Sequence, residues 1–167
     1  MSNYLPVGGF KWSALDVSKW DKEKIMSIDD DADIGCTLKC RVKIPVDKHD
    51  EFNNFVPMPE SIKVKKEYLN QWQQQNYTES NVSKLICSFE EKIDYVINYR
   101  YLKLCLSLGC ELVSVSQVLE YRQEAFLKPY IQLNTDLRTK ATNEFERDYF
   151  KLMNNSVFGK TMENVRS

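Results

Sequence analysis

The chain has 167 residues, enough for one domain with a real core, and its 43% hydrophobic content excludes wholesale disorder. A formal net charge of −1 excludes nucleic-acid binding through bulk basicity. No stretch reaches the roughly 18 apolar residues of a membrane span, so no membrane partner is expected.

Residues 4–12, YLPVGGFKW, read as turn chemistry between aromatics, because Pro6 and the Gly8–Gly9 pair interrupt regular elements. The longer start, MSNYLPVGGFKW, lacks the basic and apolar regions of a secretory signal. Its glycine and aromatic content suits the middle of a fold. Residues 17–28 carry Val17, Trp20, Ile25 and Ile28 at helical spacing. The run DDDAD at 29–33 is expected to be a solvated acidic loop, because it lacks the spacing and the glycine of a calcium loop.

Residues 36–44 alternate Cys36, Leu38, Cys40, Val42 and Ile44 with polar partners, the pattern of a strand with one wet face. The Cys36-x3-Cys40 spacing resembles half a zinc site. No second close Cys/His pair follows, and His49 is the only histidine, so buried thiols are expected instead. Residues 45–60 hold three prolines and read as an extended connection, and 65–76 as a polar helix or loop. Strands are expected at 83–89 and 94–100, a short helix with a glycine stop at 101–109, and a strand at 110–121. From about Ala125 the pattern is helical to the end, with a break near Thr142–Asn143. The class is therefore α+β, a strand-rich part at 1–122 followed by a helical hairpin at 123–167. Five cysteines without a signal peptide point to free thiols in a reducing compartment, nucleus or cytosol.

Charge is uneven along the chain. Residues 128–167 carry seven Lys/Arg against five Asp/Glu, 7 − 5 = +2, which leaves −3 for residues 1–127. Projected as one helix over 140–158 at 100° per residue, Phe145, Tyr149, Leu152 and Ser156 fall within roughly 60° and are expected to face the core. Lys140, Arg147, Lys151, Asn154 and Phe158 share the opposite face within about 60°. Such a face is commonly just solvated. A solvated face, however, has no use for Asn155, Ser156, Phe158 and Gly159 at its end. A polyphosphate along the cations, with a base stacked near Phe158, explains the mixture. No G-x-x-x-x-G-K-[ST] string is present, so this is not a Walker A loop.

The string KLMNNSVFGK at 151–160 resembles motif B, K-x3-N-S-x-[YF]-G, on the fingers helix of family B DNA polymerases. The likeness is closest to the protein-primed branch, including the polymerases of Polinton/Maverick elements and related eukaryotic viruses. MSNYLPVGGFKW resembles the segment after that branch's motif A. YVINYRYLKLCLSLGCELVSVSQVLEY and FLKPYIQLNTDLR resemble the run into the fingers, and KTMENVR the segment after motif B. The likeness spans essentially the whole chain, in order.

The resemblance implies a segment of a DNA-directed DNA polymerase. Lys151 then binds the incoming nucleotide's phosphates, with Arg147 one turn earlier and Lys140 or Arg138 on the other fingers helix. Phe158 packs under the nascent base pair, without the hydroxyl of the family's tyrosine. Asn155, Ser156 and Gly159 lie near the template base and backbone. The implied partners are DNA template and primer, deoxynucleoside triphosphates and a terminal protein primer. The terminal protein primer and the upstream duplex would meet the insertion at about 5–122. The intact family enzyme uses Mg²⁺ held by aspartates of motifs A and C. Neither motif falls within these residues, so no catalytic or metal-binding residue is expected here and the segment alone is expected to be inactive. The alternatives are a non-catalytic nucleotide-binding or nucleic-acid-binding relic, and a structural α+β domain whose basic stripe is merely solvated.

Overall fold

The computed structural model describes residues 2–78, 81–161 and 163–165. The chain is mixed α+β. In order it forms β1 (Leu5–Trp12), α1 (Lys22–Met26), β2 (Ile34–Lys43), α2 (His49–Phe52), β3 (Glu60–Lys63), α3 (Gln71–Gln75), β4 (Ser83–Ile86), β5 (Lys92–Asn98), α4 (Tyr99–Ser107), β6 (Glu111–Glu124), α5 (Lys128–Lys140) and α6 (Glu144–Thr161). Four strands form a sheet in the order β1-β6-β2-β5, and β3 and β4 pair in a small two-stranded sheet. The contacts divide into two compact units. One comprises Met1–Lys11, Asp29–Gly35 and Glu120–Ser167, the other Trp12–Ile28 and Cys36–Leu119.

The second unit holds the main core. Alternation on β2 does what the sequence promised: Cys36, Leu38, Cys40 and Val42 are buried, while Arg41 and Lys43 are exposed. β2 pairs antiparallel with β5 through Leu38↔Ile97 and Cys40↔Tyr95, then shifts register before Val42↔Lys92. The extra residue sits on β5, where Asp94 takes φ 56. Tyr99, Leu102, Cys105 and Leu106 of α4 join Trp20, Ile25, Phe52 and Met58 in the same cluster. Each such side chain contributes about 1.5–3 kcal/mol by leaving water. Lys92 is wholly buried, and its Nζ donates to Glu60 Oε2 at 2.7 Å and Ser88 Oγ at 3.0 Å. This ties β5 to β3.

Two expectations are corrected here. Residues 5–12 are a strand, not a turn run. β1 is an edge strand, the place in a sheet where proline is tolerated. Gly9, at φ 68, accepts a backbone turn that other residues resist, and a Cβ there would lie 3.3 Å from the Arg122 stem. Residues 45–60 are not simply extended. Their first half winds into a 3₁₀ turn at Val46–Lys48 and then α2, and Met58, at φ 57, donates its N–H to Tyr101 Oη at 3.1 Å.

In the first unit, Gln123 is buried and fixes the acidic loop. Its side-chain Nε2 donates to Ala32 O at 2.6 Å, and its backbone N–H to Asp33 O at 2.9 Å. Gly35 must lack a side chain, because a Cβ would sit 2.4 Å from Gln123 Oε1 and 2.8 Å from Tyr121 Cε2. The remainder of this unit is the pair α5 and α6.

Candidate nucleotide-binding helix

α5 starts on Pro129, whose fixed φ suits a first helical turn, and its Thr135 and Thr139 hydroxyls bond back four residues along the helix. It stops at Ala141, which is extended at ψ 133. α6 then starts afresh. Asn143 Oδ1 accepts from Glu146 N–H at 2.9 Å, and Glu146 Oε2 accepts from Thr142 N–H at 3.3 Å, a reciprocal cap that explains the break. Three residues of connection fold the helices back on each other, and Tyr130 Oη donates to Met153 O at 3.4 Å.

The packed face of α6 differs from the expected one. Phe145 is 78% exposed, Leu152 62% and Tyr149 47%, so the predicted core face stands uncovered in this chain. Against α5 instead lie Glu146, Phe150, Met153 and Val157, all partly buried. The two apolar stripes are roughly 110° apart around the helix. Composition ranked the first stripe higher, but the short connection at Ala141–Asn143 aims the second one at α5. Lys140 also belongs to α5, so the single projection over 140–158 does not apply to it.

Of the face expected to carry the cations, Arg147, Lys151 and Phe158 are exposed on α6, but Lys140 lies on α5 and Asn154 is partly buried in the hairpin, with Asn155 exposed in its place. Arg147, Lys151, Asn155 and Phe158 are exposed and lie within roughly 80° on the helix surface, along about 16 Å of axis. Among the described residues, Lys140, Arg147 and Lys151 have no ion-pair partner. By contrast, Lys160 bonds to Glu163. Helix geometry puts this stripe on one side of the α5–α6 pair, and the uncovered Phe145–Tyr149–Leu152 stripe on the other. The same geometry turns Arg138 and Lys128 of α5 toward the Arg147–Lys151 side, and Lys140 toward the apolar side. Lys128 escaped notice in the sequence because its position on the hairpin depends on where the two helices meet.

Asn155 and Ser156 are exposed, and Ser156 Oγ donates to Met153 O at 2.9 Å. Gly159 is exposed, and a Cβ built on it meets nothing within 4 Å. Neither a turn nor internal packing therefore calls for glycine there. Two amides lie in the hairpin interior, Asn134, which was not anticipated, and Asn154, which was expected on the cation face. Asn134 Nδ2 and Asn154 Oδ1 are buried without a hydrogen-bond partner. Met162 and Arg166 of the KTMENVR string lie outside the described residues.

Among the described residues, no group of three or more His, Cys, Asp or Glu is placed to hold a metal ion. Asp29, Asp30, Asp31 and Asp33 are exposed, in a turn whose Ala32 and Asp33 carbonyls accept from Gln123. No helix among the described residues is long and apolar enough to cross a membrane. No protein-family model, curated protein or solved structure matches the chain.

Proposed function

We propose that this chain is the fingers-bearing segment of a protein-primed family B DNA-directed DNA polymerase, and that α6 grips the triphosphate of the incoming deoxynucleotide. One observation carries the proposal. The stripe that the motif B likeness assigns to the nucleotide lies outside the hairpin packing, and Arg147 and Lys151 have no ion-pair partner among the described residues.

The chemistry is charge neutralisation and positioning. Arg147 and Lys151 stand one turn apart, about 6 Å along the axis, within reach of one triphosphate tail. A guanidinium engages two phosphate oxygens at once, while an ammonium acts as a mobile point charge. Phe158, 54% exposed and two turns further on, offers a ring face to a base or base pair. Gly159 leaves the adjoining helix surface bare, and Asn155 adds a neutral hydrogen-bonding group toward a template strand, while Ser156 lies on the Phe145–Tyr149–Leu152 side. In the intact enzyme, metal ions on aspartates of motifs A and C would supply the phosphoryl-transfer chemistry. The part proposed for the residues here is binding and orientation. DNA template and primer, and a terminal protein at the preceding insertion, are the partners this proposal includes.

The test uses the full-length gene product in primer extension. Lys151→Ala raises the KM for deoxynucleoside triphosphate by about 10-fold or more, the loss of one charge-assisted phosphate contact of about 1.5 kcal/mol. Duplex affinity stays unchanged. An unchanged KM would remove Lys151 from the nucleotide site. A gene product that binds nucleotide through Lys151 but extends no primer in Mg²⁺ would be a non-catalytic relic of such a polymerase.

A further inference from the structure

We propose that Cys105 and Cys110 are an oxidative modification site, where hydrogen peroxide closes a reversible disulfide across the C-terminal end of α4. The helix ends in a Schellman closure. Gly109 N–H donates to Leu106 O at 3.3 Å and Cys110 N–H to Cys105 O at 2.9 Å, with Gly109 at φ 102. This closure usually brings an apolar contact between the two outer positions. Here both positions are cysteine, and the two thiols share a hydrogen bond. Both are buried in the main core, at 1% and 2% exposure.

The pair is chemically asymmetric. The hydrogen bond with Cys110, and then burial, hold the Cys105 thiol far above its ordinary value. The same bond pulls Cys110 below its own. Cys110 is thus the better nucleophile and Cys105 the resolving thiol. The other cysteines do not offer this. Cys36 and Cys40 share one face of β2, but four residues of strand separate them by roughly 13 Å, too far to bridge. Burial also pushes the Cys40 thiol up to about 11. Cys87 is exposed, and its nearest cysteine in sequence is Cys105.

The step balances as follows. The Cys110 thiolate attacks one peroxide oxygen, the O–O bond breaks, and the departing hydroxide takes a proton to become water. The Cys105 sulfur then attacks Cys110 sulfur, the S–O bond breaks, and the hydroxyl leaves as water with the Cys105 proton. Two thiols lose two electrons, and one peroxide becomes two waters.

The experiment treats the wild-type and Cys87→Ser chains with hydrogen peroxide, unfolds them in urea with iodoacetamide so that every free thiol is alkylated, and digests with trypsin. One tryptic peptide, running from Leu104 to Arg122, holds both cysteines. It is expected to lose the mass of two hydrogens and escape alkylation, with both changes reversed by dithiothreitol. The oxidised Cys87→Ser chain is expected to melt several degrees higher, since closing even a short loop restricts the unfolded chain. Cys110→Ser abolishes both signals. If that variant does not fold, the wild-type peptide mass still decides. Full alkylation of Cys105 and Cys110, at peroxide levels that oxidise Cys87 completely, would overturn the proposal. So would a peptide that gains oxygen without forming the bridge.

Discussion

Gly159 shows how one residue can answer to two demands of opposite sign. Glycine in a helix costs up to about 1 kcal/mol against alanine, less in a last turn. Nothing in the fold needs it, since a Cβ there meets open space. Gly159→Ala is therefore expected to raise thermal stability, by about 0.5 kcal/mol, and to weaken nucleotide or template binding in the full-length protein. Calorimetry beside a binding titration checks the pair. A loss of stability would mean that the position is packed after all. Lys92 makes the contrasting case. Glu60→Ala leaves a fully buried ammonium with only Ser88 as partner, and is expected to cost about 3 kcal/mol, read by urea unfolding. Of these residues, Gly159 could be singled out from the sequence because it belongs to one short string, KLMNNSVFGK. Lys92 could not, because its burial depends on Glu60, 32 residues away in the chain.

At the scale of elements, β2 could be read directly, since a period of two with one apolar face has few other meanings. β1 could not. Pro6 and two glycines carry the signature of a turn, and only the edge position and the Arg122 stem make a strand of them. α6 was legible as a helix, and its restart near Asn143 as a break, but not its packed face. Apolar residues occupy two stripes, and the direction of α5 chooses Phe150, Met153 and Val157 over Phe145, Tyr149 and Leu152. That choice rests on the cap that starts α6. Asn143→Ala removes the acceptor for Glu146 N–H and is expected to cost about 1 kcal/mol. Hydrogen exchange at the first turn of α6 should rise with it. Unchanged protection there would mean that the hairpin connection, not the cap, holds the turn.

For the whole molecule, a net charge of −1 says nothing of a phosphate site, because the relevant charge is local. Arg147 and Lys151 matter because they are exposed, one turn apart, and without an ion-pair partner among the described residues. The α+β class was legible from patterning alone. The grouping of Met1–Lys11 and Asp29–Gly35 with Glu120–Ser167 was not, since it arises from pairing between distant segments. The proposed role as a polymerase's nucleotide grip is tested most directly by a backbone amide NMR titration of this chain with a deoxynucleoside triphosphate. The expected result is a set of shifts concentrated on Arg147, Lys151, Asn155 and Phe158, weakened by salt and lost in the Arg147→Ala, Lys151→Ala double variant. Shifts centred elsewhere, or unaffected by that variant, would contradict the nucleotide grip.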